Sequence, residues 1–325
     1  MIDILGIGSP VVDILAEVDE SFVAQIDGDK GGMVLVNADQ LDQLVSKLKG
    51  NAVQAAGGSS GNTTFALAEL GAKTAFLGKI GNDSYGSFYR EAFVNAGGDG
   101  SRFKVGDQAN GRCVSLITPD SERTMRTDLG AAMTLAPEEV KPEDFAKVKH
   151  VHVEGYLLFN RDLMLAVLKQ AKAAGCTISL DLASFEVVEA SRDSLPEILS
   201  EYIDLVFANE DEAKAFAQDS VSKPEVHAQL LGKYVDVAAV KVGKDGAWIA
   251  SDEKVIHTQA IQGIKAVDTT GAGDYWAAGF LFGRLRGRTP EVCAHYGALL
   301  GAAVVSTIGA KLPAETWNGL RAKVQ

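Results

Sequence analysis

The sequence predicts an α/β fold: a doubly wound, mainly parallel sheet with a small β lid. From about residue 150 onward, short apolar runs alternate with helical stretches, the pattern of strands joined by crossover helices. Gly-rich loops at 55–64 and 267–274 each run into an apolar helix, and two such loops in one chain begin to describe a cleft. Segments at about 15–36 and 107–130 are extended and charged, unlike the helical blocks around them, and these are the expected lid. No repeat, low-complexity tract or Pro/Ser-rich linker interrupts the 325 residues, so 1–325 reads as one large domain carrying that lid.

The chain opens on an apolar strand ending in Gly6, Ile7 and Gly8; Ser9 and Pro10 turn it, and 11–14 resumes extended. Asp13 interrupts this apolar run. A carboxylate there needs a partner, either substrate hydroxyls or a structural hydrogen bond. Residues 39–48 place Leu41, Leu44, Val45 and Leu48 at helical spacing. Gly57, Gly58 and Asn62 lie in the first Gly-rich loop, and the helix after it is closed by Gly71. Residues 73–80 read as a single strand leading to Gly81 and Gly86, followed by a helix with Phe88, Phe93 and Val94. Residues 112–118 are extended, and Pro119, Asp120 and Ser121 form a hairpin turn. Arg123 and Arg126, just beyond, are either solvated surface or reach over a cleft toward phosphate.

The second half gives a strand at 151–153, a helix at 162–174 ended by Gly175, a strand at 177–182 and a helix around 186–201. A strand at 205–207 runs into Asn209, Glu210, Asp211 and Glu212, which open a helix; a strand at 235–242 runs into Gly243–Gly246, and 247–250 is extended again. Ligands in such sheets bind beyond the carboxyl ends of the strands. Asp181, Asn209 and Gly243 fall at those ends, as does the loop at 267–274. In that loop Gly271 and Gly273 let backbone approach a ligand, and the first-turn amides of the next helix favour an anion. Asp274 would repel a phosphate, but makes sense as a base taking a proton from an attacking hydroxyl. Glycines, amides and one carboxylate together suggest phosphoryl transfer; the plainer alternative is a Gly-rich turn with Asp274 favouring the helix dipole.

A net charge of −12 argues against nucleic acid or an anionic membrane as a main partner. Cys113, Cys176 and Cys293 are widely spaced, with no CxxC or Cys/His cluster, which suits reduced thiols in a cytoplasmic protein. No apolar run approaches membrane-spanning length. His150, His152, His227, His257 and His295 show no metal-site spacing, and Trp248, Trp276 and Trp317 read as packing residues.

Several of these stretches, in order, resemble the ribokinase-like (PfkB) carbohydrate kinase family along nearly the whole chain. The matching residues are Gly57, Gly58 and Asn62; Lys79 to Gly86; Asn209 to Glu212; Val242 to Gly246; and Asp268 to Asp274. Gly6 to Ile14, the lid return around Ser121 to Met125 with Leu129 to Ala132, and Phe207 to Ala213 look nearest the adenosine-kinase branch. That branch usually carries Asn where this chain has Ser9, and a small or apolar residue where it has Arg126; both bear on the acceptor and not on phosphotransfer.

The resemblance implies an ATP-dependent kinase acting on a hydroxymethyl group of a nucleoside or sugar, with an adenosine-like acceptor favoured over ribose or fructose. Asp274 would be the base, and Gly271, Ala272 and Gly273 the anion hole. Arg123 would be the lid arginine on phosphate, with Arg126 as second choice. Asp13, Asn62, Gly57, Gly58 and Ser9 would hold the acceptor. Tyr156 would stack on a base or serve as an ordinary pocket tyrosine. Lys241, Gly243, Gly246, Thr269 and Asn209 would lie at the nucleotide, with residues 299–309 near adenine. Asn209 and Glu212 would act through water on Mg²⁺, or form a plain helix cap. Asp268 and Thr270 stand where a monovalent cation such as K⁺ would sit. A monomer or a homodimer suits the family. An oxidoreductase is disfavoured, because Pro10 stands where a dinucleotide fingerprint needs an opening helix. A non-catalytic sensor on the same fold has no need of Asp274.

Overall fold

The computed structural model describes residues 1–48, 52–120 and 122–324. In chain order the elements are β1 (Ile2–Ile7), β2 (Val11–Glu17), α1 (Glu20–Val23), β3 (Met33–Leu35), α2 (Ala38–Lys47), β4 (Val53–Ala56), α3 (Ser59–Glu69), β5 (Thr74–Leu77), β6 (Lys79–Gly81), α4 (Ser84–Asn95), β7 (Lys104–Gly106), β8 (Gly111–Ile117) and β9 (Arg123–Asp128). The second half adds β10 (Val148–Glu154), α5 (Arg161–Ala173), β11 (Thr177–Asp181), α6 (Phe185–Ala190), α7 (Leu195–Tyr202), β12 (Leu205–Asn209), α8 (Glu210–Ala217), α9 (Pro224–Leu231), β13 (Val237–Lys241), β14 (Ala247–Ser251), β15 (Lys254–Thr258), α10 (Ala272–Arg284), α11 (Pro290–Val304) and α12 (Ala314–Lys323).

The large sheet has 8 strands in the order β15-β14-β13-β12-β11-β10-β1-β5. It is parallel from β5 to β13 and antiparallel only through β14 and β15. The parallel strands are buried on both faces, which is why they read as unbroken apolar runs. One face packs against α5 to α9 through Val167, Leu168, Val187, Leu199 and Leu231; the other packs against α3, α10, α11 and α12 through Leu67, Trp276, Phe280, Leu300 and Trp317. Helix α10 is buried from Tyr275 through Gly283, so it is apolar all round, as a helix enclosed by others must be. It lies so close to α11 that a Cβ on Gly279 would come 2.4 Å from the Tyr296 carbonyl oxygen.

A second sheet of 5 strands, β3-β9-β8-β2-β4, forms the lid. Besides the expected charged segments it draws in Val11–Glu17 from its start and Val53–Ala56, which pairs antiparallel with β2. Helices α1 and α2 cover one of its faces through Val23, Leu41 and Leu44 against Ile14, Val114 and Leu116. The turn between β8 and β9 is closed by Thr118 N donating to Glu122 O at 3.1 Å; Ser121, expected in that turn, lies outside the described residues.

Two expected elements divide. The strand read at 73–80 is β5 in the large sheet and β6 in a separate pair with β7. Between them Gly78 passes so near Gly8 that a Cβ would come 2.5 Å from its carbonyl oxygen. The helix read around 186–201 is α6 and α7, parted at 191–194, where the amides of Arg192 and Ser194 donate to Glu189 O and Ser191 O, three residues back instead of four. Around this break-point of the sheets Phe65, Phe76, Tyr89, Phe93 and Phe103 pack mostly edge to face, joining α4 to the body beside the lid.

Candidate active site

The loop before α10 enters the helix through Gly271, whose φ of 72° is left-handed, and no side chain caps the helix. The Ala272 amide turns back on Thr269 O at 3.1 Å. Asp274, in the first turn, is part-buried between α10 and α3. Ser59 Oγ donates to its Oδ1 at 3.1 Å and Asn62 Nδ2 to its Oδ2 at 2.8 Å. Thr63 Oγ1 donates to the Asp274 backbone carbonyl at 3.1 Å, so α3 and α10 are tied side chain to main chain at the same place. Burial pushes the Asp274 carboxyl up to about 7, helped by the charge of Asp181 and opposed by Asn62, Lys241 and Ser59. Near-neutral proton affinity is what a general base needs.

Asp13 stands on β2 at the mouth of the lid. It lies flat against the first Gly-rich loop: a Cβ on Gly57 would come 2.3 Å from Asp13 Oδ2. Burial pushes its carboxyl up to about 7, against the pull of the Arg123 guanidinium. Gly58, at φ 87°, lets the chain pass under the Ser9 carbonyl. Ser9 takes part through its backbone: its N–H donates to Glu154 Oε1 at 2.9 Å. Glu154, 1% exposed at the end of β10, also accepts from Ser60 N at 3.4 Å, and burial raises its carboxyl above the usual range. It therefore ties the turn at Ser9 to the start of α3. The sequence reading passed over Glu154, although a carboxylate closing the apolar run of 151–153 was a visible sign of it.

On the far side, Lys241 at the end of β13 donates to Asp181 Oδ2 at 2.9 Å. A Cβ on Gly273 would come 3.0 Å from Lys241 Nζ, so the ammonium lies against the first turn of α10. Asn209 and Glu212 close a capping box on α8: Asn209 Nδ2 donates to Glu212 Oε1 at 2.6 Å, Asn209 N to Oε2 at 2.7 Å, and Glu212 N to Asn209 Oδ1 at 2.8 Å. Burial pushes Glu212 up to about 7, with Asp181 adding to the rise and Lys241 opposing it. Among the described residues no cluster of His, Cys, Asp and Glu could hold a metal ion directly. The donors at Asn209 and Glu212 are already engaged, so they fit a hydrated divalent ion and not bare coordination.

Arg123 crosses from β9 of the lid to the loop before α10, where Nη2 donates to Asp268 Oδ2. Asp268 also accepts from Thr270 N at 3.0 Å and Gly309 N at 2.6 Å. With those donors on its carboxylate, Asp268 does not fit a side-chain cation ligand in this conformation. Arg123, Asp268, Thr269 and Thr270 line a cleft of about 440 Å³ with Gly31 and Met125. Arg126 is turned inward, 2% exposed, and donates to the carbonyls of Asp27 and Met125, which makes it a strut of the lid. Tyr156, 43% exposed beyond β10, keeps its aromatic ring accessible. Gly243 faces open space, while Gly246 lets β13 turn into β14 under β15, where a Cβ would come 1.9 Å from Thr258 O. That close approach accounts for Gly246 with no ligand.

Adenosine kinase 2 of Arabidopsis thaliana is 26% identical to this chain over 95% of each. The 5-dehydro-2-deoxygluconokinase of Bacillus licheniformis is 29% identical over 77% of this chain and 80% of its own. Among solved structures, the adenosine kinase from Sinorhizobium meliloti superposes with a TM-score of 0.88 at 33% identity over 99% of both chains. The probable sugar kinase from Rhizobium etli gives 0.87 at 30% identity over 100% of this chain and 99% of its own. The family described as pfkB family carbohydrate kinase matches residues 33–317. Together with a carboxylate poised at the open N-terminus of α10, these likenesses place the chain in the pfkB family of carbohydrate kinases, phosphotransferases that act on an alcohol acceptor.

Proposed function

We propose that the protein transfers the γ-phosphoryl group of ATP to a hydroxymethyl group of a nucleoside, with an adenosine-like acceptor first. The observation that carries this reading is the setting of Asp274, held by Ser59 and Asn62 at a helix N-terminus with its carboxyl pushed up to about 7. The acceptor lies between Asp13 and Asp274, its vicinal hydroxyls donating to Asp13 beside Gly57 and Gly58. As the hydroxyl oxygen attacks, Asp274 takes its proton, and the amides of Gly271, Ala272 and Gly273 meet the charge on the phosphoryl oxygens; a donor so placed is worth about 3 kcal/mol. The Ala272 amide first exchanges its bond to Thr269 for the ligand. Arg123 leaves Asp268 for a phosphate in the same way. Asn209 and Glu212 would hold Mg²⁺ through its water shell, and when bound that ion neutralises nucleotide charge. Lys241, Thr269 and Gly243 flank the nucleotide, and Tyr156 offers its ring to the acceptor's base. No step is assigned to K⁺. The buried free thiols Cys113, Cys176 and Cys293 suit a reducing cytoplasm.

The likeness to proteins named adenosine kinase favours the nucleoside. A sugar acceptor is the second reading, supported by the likeness to 5-dehydro-2-deoxygluconokinase. An ADP-release assay with ATP and Mg²⁺ across nucleosides, pentoses and fructose, with and without K⁺, decides between them. Highest kcat/KM with adenosine or a close analogue is expected. A sugar with higher kcat/KM would overturn the nucleoside reading, and no turnover with any acceptor would sink the kinase reading.

A further inference from the structure

Beneath the first turn of α10, the ends of two parallel strands bring opposite charges together in a dry place. Lys241 and Asp181 are 12% and 7% exposed at their side chains, and they meet at 2.9 Å. Asp181 is held from behind by Ala183 N at 3.0 Å on its other oxygen, so the carboxylate cannot turn away. The Phe207 ring centroid lies 6.0 Å from Lys241 Nζ. Above, the missing Cβ of Gly273, the residue before Asp274, leaves room for the ammonium, since a Cβ there would come 3.0 Å from Lys241 Nζ. The pair is costly to bury. Nothing in the fold alone calls for it there, since the neighbouring positions on these strands are apolar.

The other groups around Asp274 are accounted for. Helix α3 offers the neutral donors Ser59, Asn62 and Thr63. Helix α11 packs on α10 through Gly297 and Gly301, which lie against Trp276 and bring no charge. On β10, His152 is pressed down to about 4 by burial and stays neutral, with Nδ1 2.8 Å from Ser179 Oγ. Burial pushes Tyr156 up to about 12 and raises Tyr275 further, so neither ionises. Glu212 on α8 is the remaining acid. Burial resists charge on Asp181 and Lys241 alike, yet their mutual attraction keeps Asp181 below the usual carboxylate range and Lys241 above the usual amine range. Both therefore stay charged across the neutral range.

We propose that Asp181 and Lys241 are a pair of opposed positioning residues, each offsetting the other's effect on the pH at which Asp274 becomes a base. This rests on the reading of Asp274 as the base and deepens it. The two charges act on Asp274 with opposite sign: the carboxylate makes its ionisation harder, and the ammonium makes it easier. Burial already brings Asp274 near neutrality, and the two charges offset one another so that it stays there. A lone lysine would leave it too weak a base, and a lone aspartate would keep it protonated.

The test is the acid limb of kcat/KM for the best acceptor against pH, with ATP and Mg²⁺ saturating. Asp181→Asn is expected to move the limb to lower pH and Lys241→Met to higher pH, each by at least about half a unit. The double variant is expected to return it close to wild type, and Lys241→Arg to leave it in place. Opposite shifts that cancel are not what two structural lesions produce. Shifts of the same sign, or none, would overturn the proposal. So would a limb that vanishes in Glu212→Gln, since it would then report Glu212. If a single variant fails to fold by near-ultraviolet circular dichroism, the other and the double variant still decide, because a double variant that keeps the shift of one single contradicts the cancellation. Failure of the underlying reading looks different: Asp274→Asn would then keep wild-type turnover, or the wild-type profile would have no acid limb.

Discussion

Asp274 is asked to be charged in a place that resists charge. Burial holds its carboxyl at about 7 against an ordinary 3.8, while Ser59 and Asn62 keep it in line with the open end of α10. Asp274→Asn retains the shape and the contact to Thr63, which uses the backbone carbonyl. Turnover should fall by about 10²- to 10⁴-fold, with ATP affinity by calorimetry changed less than about threefold, since a factor of that size is well under 1.4 kcal/mol. The same variant reports on stability. The folded state holds this proton more tightly than the unfolded chain, so the contribution of Asp274 to stability falls as pH rises through the window from 3.8 to about 7. The melting temperature of Asp274→Asn relative to wild type should therefore rise between pH 5 and pH 8. A difference that stays flat would mean an unshifted carboxyl. At the acceptor end, Gly57→Ala would push a methyl group into Asp13. It should raise the acceptor KM about tenfold or more and leave ATP binding alone, as a displaced hydrogen-bonding carboxylate costs about 1.5 to 3 kcal/mol.

At the scale of elements, the contact between Arg123 on β9 and Asp268 joins the lid to the anion loop. Arg123→Ala should lower kcat more than it raises the acceptor KM, and hydrogen exchange across β8 and β9 should quicken. Unchanged exchange would mean that the lid is held by its apolar face alone. The same elements mark what could be read beforehand. The alternating second half is legible because each parallel strand is buried on both faces and each helix shows one apolar side. The strand at 73–80 misled because an apolar run carries no sign of which sheet it belongs to, and Gly78 serves as the crossing point. Strand β4 went unnoticed because Val53–Ala56 is short and follows directly into the glycines. In the site, Asp13, Asn62, Asp274 and Glu212 were legible as polar interruptions at strand ends and helix starts. Glu154 was not singled out, and the Asp181–Lys241 pairing depends on the register of strands 60 residues apart. Arg126 shows the converse: a charged residue beside the expected cleft that the lid turns inward.

For the molecule as a whole, the body holds two apolar layers around one sheet, and the thiols are distributed among them and the lid. Cys113, Cys176 and Cys293 are all buried and free. Burial also pushes Cys113 and Cys293 up to about 11, so thiolate is scarce at neutral pH. A thiol reagent at pH 8 should label the native protein very slowly and react with all three only in denaturant; fast labelling of Cys113 would show that the lid sheet opens.

Strand β1 precedes every other strand of the large sheet in sequence, yet it sits inside that sheet, with β5 on one side and β10 on the other. Its register runs Ile4 against Thr74 on one edge and against His150 on the other. During synthesis β1 must therefore remain unpaired on one edge until β10 has emerged, and it closes that edge through contacts of long sequence separation, which form slowly. Asp274 reaches Ser59 and Asn62 later still, when α10 packs against α3. A nascent chain halted before α10 would carry the lid and all eight strands of the large sheet while exposing the apolar face that α10 covers, which makes such a species prone to aggregate.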